Sequence, residues 1–110
     1  MLPRKKLISL RQEFPRIRKE GEVYDSASFG LVVAYGKGPK AAFIVSKKIS
    51  LKSVVRHEVK RKLSDAVAPQ MARLGNNVEL VFLAKQKAVT QNRESLETEV
   101  QTVLKRARLL

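Results

Sequence analysis

Apolar residues recur along this chain at two periods, and the alternation between them predicts the elements. From Phe29 to Tyr35 both alternating sets are apolar, with Phe29, Leu31, Val33 and Tyr35 set against Val32 and Ala34. That pattern describes a strand covered on both faces. Gly36-Lys37-Gly38-Pro39 has turn chemistry, and Ala41–Ser46 is a second apolar run, so 29–46 reads as an antiparallel hairpin. A short strand near Glu22–Tyr24 precedes it, and Val78–Ala84 alternates as a further strand after the Gly75-Asn76-Asn77 turn. Helical spacing governs the rest. Residues 50–67 place Leu51, Val55, Val59, Leu63 and Ala66 on one stripe, with Ser50 as N-cap and Pro69 as terminator. A last helix over about 92–108 aligns Leu96, Val100, Val103, Leu104 and Ala107. The first helix falls between Ser9 and Glu20. Ser9 and Gln12 have capping-box spacing, Gly21 suits a left-handed helix end, and Pro15 is expected to kink or begin the helix. The sum is a small α/β (α+β) sandwich of helices on a mixed sheet.

Length and charge narrow the class. The 110 residues fit one domain, and the core is aliphatic, since aromatics make up 5% of a chain that is 44% hydrophobic. There is no internal repeat, no apolar run long enough to span a membrane, and no cysteine for a disulfide or thiolate site. His57 is the lone histidine, which removes the common metal and triad arrangements. The basic start, Met1 to Lys6, lacks the apolar stretch of a secretion signal, so the expected location is cytoplasmic. The net charge of +13 points to a polyanion. Its distribution is sharper still. Residues 37–62 carry nine basic side chains against Glu58 alone, whereas 21–36 carry only Glu22 and Asp25.

Within that basic stretch, Ser46-Lys47-Lys48-Ile49 closes the second strand, and Lys52, Arg56 and Lys60 follow at steps of four along one border of the middle helix. His57 and Arg61 project from its outer face. A strand edge ending in paired lysines beside such a helix forms a rigid cationic ledge for RNA phosphates. Acidic partners for i,i+4 pairing are nearly absent, which argues against a merely solvated helix face.

The run Ser46-Lys47-Lys48-Ile49-Ser50, followed by Val54-Val55-Arg56-His57-Glu58-Val59-Lys60-Arg61-Lys62-Leu63, resembles the signature of the bacterial ribonuclease P protein family. That signature is Ser-Lys-Lys with a β-branched residue, then Arg-Asn-Arg, an apolar residue and Lys-Arg. Glu13-Phe14 with Gly21 seven residues after Phe14 is similar to the family's first helix, and the resemblance covers most of the chain. It implies one RNA-binding domain over residues 1–110, a two-layer αβββαβα fold, and a left-handed βαβ crossover. It also implies a division of labour. The partner RNA, with Mg²⁺, cuts the 5′ leader from precursor tRNA, and the protein alone is inactive and holds no catalytic residue. As a monomer it would contact the RNA subunit through Lys52, Arg56, His57, Lys60 and Arg61. The leader of precursor tRNA would lie on Phe14, Arg18, Phe29, Lys47 and Lys48, with core packing an equal or stronger role for the two phenylalanines.

The chain departs from the signature at several positions. His57 and Glu58 stand where the family has Asn and Arg, Arg18 and Val32 replace cleft aromatics, and one extra residue lies between Lys48 and Arg56. Glu58 would repel phosphate, so it faces away, pairs with Lys62, or meets a metal-bridged phosphate. Three other classes compete. A ribosomal or other structural RNA-binding protein fits the charge equally well. A free-standing nuclease lacks acids at two-metal spacing. A membrane-surface helix would need the apolar face that the core requires.

Overall fold

A computed structural model of the protein describes Leu2 and residues 6–110. Element order is α1 (Leu10–Glu20), β1 (Glu22–Asp25), β2 (Phe29–Tyr35), β3 (Lys40–Ile44), α2 (Ser53–Met71), β4 (Val78–Ala84) and α3 (Arg93–Arg106), with a short 3-10 helix (Gln86–Val89) before α3. This is the expected αβββαβα series.

The hairpin reading of 29–46 is corrected by the sheet order, β1-β2-β4-β3. β4 inserts between β2 and β3, antiparallel to the first and parallel to the second, with Leu31 opposite Phe82 and Phe43 also opposite Phe82. The physical cause is burial. β4 is buried without a break from Val78 to Phe82, and an interior place in the sheet is where both of its faces can be covered. β3 and β4 are therefore parallel neighbours joined through α2, a βαβ crossover.

The pleat sends alternate side chains into two cores. Phe29, Leu31, Val33, Phe43, Leu80 and Phe82 face α2 and α3, meeting Val59, Leu63, Leu96, Val100 and Leu104. On the opposite face Val32, Ala34, Ala42 and Val81 meet Ile17 of α1, with Ile8 beside it. The sheet and the α2–α3 pair make the two expected layers, and α1 adds partial cover on the other side. Gly21 is extended, at φ −78°, rather than left-handed. Its role is close approach: a Cβ there would lie 2.5 Å from Val32 Cγ1.

Pro15 does not begin α1, and Pro69 does not end α2. α1 runs through Pro15, anchored on either side by half-buried Phe14 and buried Ile17. α2 runs past Pro69 to Met71 because Gln70 and Met71 are buried, and that anchorage offsets the lost backbone donor. At its other end α2 begins at Ser53 with Lys52 as N-cap, so Ser50 lies outside the helix, where its Oγ accepts from the Lys52 amide. The same shift removes Leu51 from the buried stripe. Ser9 is the N-cap of α1 but makes no side-chain cap bond.

Candidate nucleic-acid interface

The cationic ledge is built by α2 and the segment that leads into it. β3 ends at Ile44, so Lys47 and Lys48 do not close a strand; they stand exposed on a turn pinned by the Ile49 amide donating to the Ser46 carbonyl at 3.0 Å. Arg56 Nη1 donates to the Ser50 carbonyl at 2.9 Å, which ties this segment to the first turn of α2. Arg56, His57 and Lys60 then line one groove with Ser53, Ile44 and Val45, between α2, the end of β3 and Leu10 of α1. Arg61 lies across the helix, in a second groove with Val54, His57, Glu58, Lys62, Asp65 and Arg93. His57 is common to both, on the crest between them. Of the predicted residues, Arg56, His57 and Lys60 are brought together most closely. Lys52 sits at the helix entrance, and Lys47 and Lys48 line neither groove.

Glu58 is exposed on the Arg61 side of α2. Its expected partner, Lys62, is engaged elsewhere: Lys62 Nζ donates to the carbonyls of Ala88, Val89 and Gln91 at 3.0, 3.0 and 2.7 Å. Those carbonyls lie at the end of the 3-10 helix, where a cation is favoured by the unsatisfied acceptors. Lys62 is thus a clamp between α2 and the entry to α3.

The second surface is the α1 side of the sheet. Phe14 is half-buried against the small core there, with Leu10, Ile44 and Leu83 at its margin. Arg18 lies one turn further along α1 and is exposed. Phe29 is corrected: it is fully buried, edge-on to Phe82 with ring centroids 5.3 Å apart, on the α2–α3 side of the sheet. It cannot touch a ligand on the α1 face. Lys85 closes one end of that face, donating to Asp25 Oδ1 at 2.6 Å and to the Ser26 carbonyl at 2.7 Å.

Arg16 organises the α1 face at its other end. Its Nη2 donates to buried Glu79 at 2.6 Å and to Glu13 at 3.0 Å, and its Nη1 reaches the Tyr35 carbonyl at 3.3 Å. These contacts to Glu79 and Glu13 push its pKa above the ordinary arginine value. The residue-type signal was present: an acid inside the apolar run Val78–Ala84 must find a cation or leave the sheet. Nothing in the spacing identified Arg16 as that cation.

Comparison with known proteins decides the class. The family model described as Ribonuclease P matches residues 2–108. The chain belongs to the ribonuclease P protein family. It is 31% identical over 101 residues to the ribonuclease P protein component of Clostridium novyi, covering 88% of each chain. With that of Caldanaerobacter subterraneus subsp. tengcongensis it shares 32% over 112 residues, covering 96% of this chain and 94% of the other. Among solved structures it superposes on a Staphylococcus aureus RNase P protein mutant with a TM-score of 0.81 at 20% identity, over 96% of this chain and 91% of that one. The RNase P protein from Thermotoga maritima gives 0.79 at 18% identity, over 90% and 94%. A ribonuclease P protein is one part of the tRNA-processing ribonucleoprotein enzyme and works with an RNA subunit. The ribosomal and free-standing-nuclease readings therefore fall away. Among the described residues, no helix is long and apolar enough to cross a membrane.

Proposed function

We propose that this chain, as a single RNA-binding domain over residues 1–110, docks the RNA subunit on the α2 ledge and receives the 5′ leader of precursor tRNA on its α1 face. The observation that carries the reading is the placement of Arg56, His57 and Lys60 in one groove, with Arg61 across the crest and Lys52 at the entrance. A helix fixes the backbone of these cations before the phosphates arrive, so binding has to order only their side chains. Phe14 and Arg18 project from the same side of α1, one turn apart, and supply a ring and a cation to an unpaired strand. Lys47 and Lys48, on their exposed turn, extend the cationic path toward the leader.

Among the described residues no group of three or more His, Cys, Asp or Glu could hold a metal ion. The reading assigns Mg²⁺ to the RNA subunit, with the protein's lysines and arginines sharing the neutralisation of RNA phosphates. One protein copy then serves one RNA, in the cytoplasm where precursor tRNA is made.

Reconstitution tests this directly. The protein alone is expected to leave a leader-bearing precursor tRNA uncut, and adding it to a bacterial ribonuclease P RNA is expected to lower the Mg²⁺ needed for leader removal. Cleavage by the protein alone, or an unchanged Mg²⁺ requirement, would overturn the reading.

A further inference from the structure

Leu51, just before α2, and Val54, in its first turn, are 83% and 76% exposed, whereas Val59, Leu63, Ala66 and Val67 further along the helix are buried. Single exposed aliphatic residues are ordinary, but these two follow one another closely where the chain enters α2, and His57 lies one helical turn after Val54 on the same side of the helix. Val54 and His57 line one groove with Arg61 and Arg93, Arg56 lines the groove on the other side of His57, and Lys52 is the N-cap residue between Leu51 and Val54. The arrangement is a short apolar strip bordered by cations, within the stretch of the chain that carries nine basic residues and one acid. Charge complementarity selects a polyanion as its cover. A base inside a duplex has no free face, whereas an unpaired nucleotide offers an apolar face with a phosphate on either side.

We propose that Leu51, Val54 and the His57 ring form a seat for one unpaired nucleotide of the RNA subunit, with Lys52 and Arg56 on one adjoining phosphate and Arg61 on the other. The seat rests on the reading that α2 docks the RNA subunit, and it adds recognition of a nucleotide face to a surface otherwise selective only for charge.

The test compares wild type, L51A/V54A and Arg56→Ala in binding to ribonuclease P RNA across a salt series. The double variant is expected to bind about tenfold more weakly with an unchanged salt slope, because no phosphate contact is removed. Its thermal unfolding is expected to match wild type, since both side chains are exposed. A photoreactive phenylalanine analogue at position 51 is expected to cross-link to one unpaired nucleotide. Undiminished affinity, a shallower slope, or cross-links confined to paired RNA would overturn the seat. If Arg56→Ala loses affinity and L51A/V54A does not, the seat alone fails. If wild type does not bind the RNA, the docking reading fails with it. If L51A/V54A instead abolishes self-association of the free protein while RNA affinity holds, the patch belongs to a second copy and the seat is refuted.

Discussion

At the scale of single residues, the two surfaces separate because their side chains have different jobs. Phe14 lies on α1, partly buried against the small core that contains Ile17 and Val32 and partly accessible. Arg56 lies on α2 and is already tethered to the Ser50 carbonyl, so its guanidinium is pre-positioned. Phe14→Ala is expected to weaken binding of leader-bearing precursor tRNA to the assembled holoenzyme about tenfold, the worth of one stacked base, while leaving affinity for the RNA subunit unchanged. Arg56→Ala should do the reverse. Filter-binding assays with the RNA subunit, and with precursor tRNAs that carry or lack a leader, distinguish the two. Equal losses from both variants in both assays would show one continuous surface. Phe14→Leu serves as a control for packing, because it retains an apolar anchor for α1 without an aromatic face.

Between elements, polar side chains rather than more apolar area fix the joints. Glu99 of α3 accepts from the Ser26 hydroxyl and, at 2.7 Å, from the Ser28 amide, so it holds the β1–β2 connection against the last helix. Partial burial pushes its carboxyl up, but the Ser26 and Ser28 hydrogen bonds, with Lys87 nearby, bring it below the ordinary glutamate value of 4.5. A depressed folded pKa means a stabilising contribution that is complete above the unfolded value and is lost as pH falls through the folded one. Glu99→Gln is therefore expected to cost about 1 kcal/mol at pH 7, discounted for partial exposure, and less at pH 3. Denaturant unfolding of both proteins at the two pH values measures the difference. A gap that widens on acidification would reverse the assigned role. The elements themselves were largely legible in the sequence, because each apolar period is a local property. Their neighbours were less so. The turn at Gly36–Pro39 suggested β2 paired with β3, yet which strands pair depends on which strand needs most cover, and β4 needs it on both faces. Pro69 looked like a terminator because local backbone chemistry says so, and burial of Gln70 and Met71 outweighed it. The ledge residues were readable from a periodic charge pattern. The Lys62 clamp and the Arg16–Glu79 pair join residues 26 or more positions apart and left no such local trace.

Taken as a whole, the molecule carries +13 and places much of that charge around one helix. Were the positive charge simply a solubility device, removing any two exposed cations would affect RNA binding alike. A localised interface behaves otherwise. If Lys52, Arg56, Lys60 and Arg61 each neutralise a phosphate of the RNA subunit, the logarithm of affinity should fall with the logarithm of salt at a slope between roughly −3 and −4. Arg56→Ala with Lys60→Ala removes two of these contacts and should make the slope shallower by about 2. Lys105→Ala with Arg108→Ala removes the same formal charge from the far end of α3, near Arg106, whose guanidinium donates to the Asp25 carbonyl at 2.6 Å. That pair should shift affinity slightly at low salt, through the long-range field, and leave the slope unchanged once the Debye length is short. Equal slopes for the two double variants would mean that net charge, not the α2 surface, governs association with RNA.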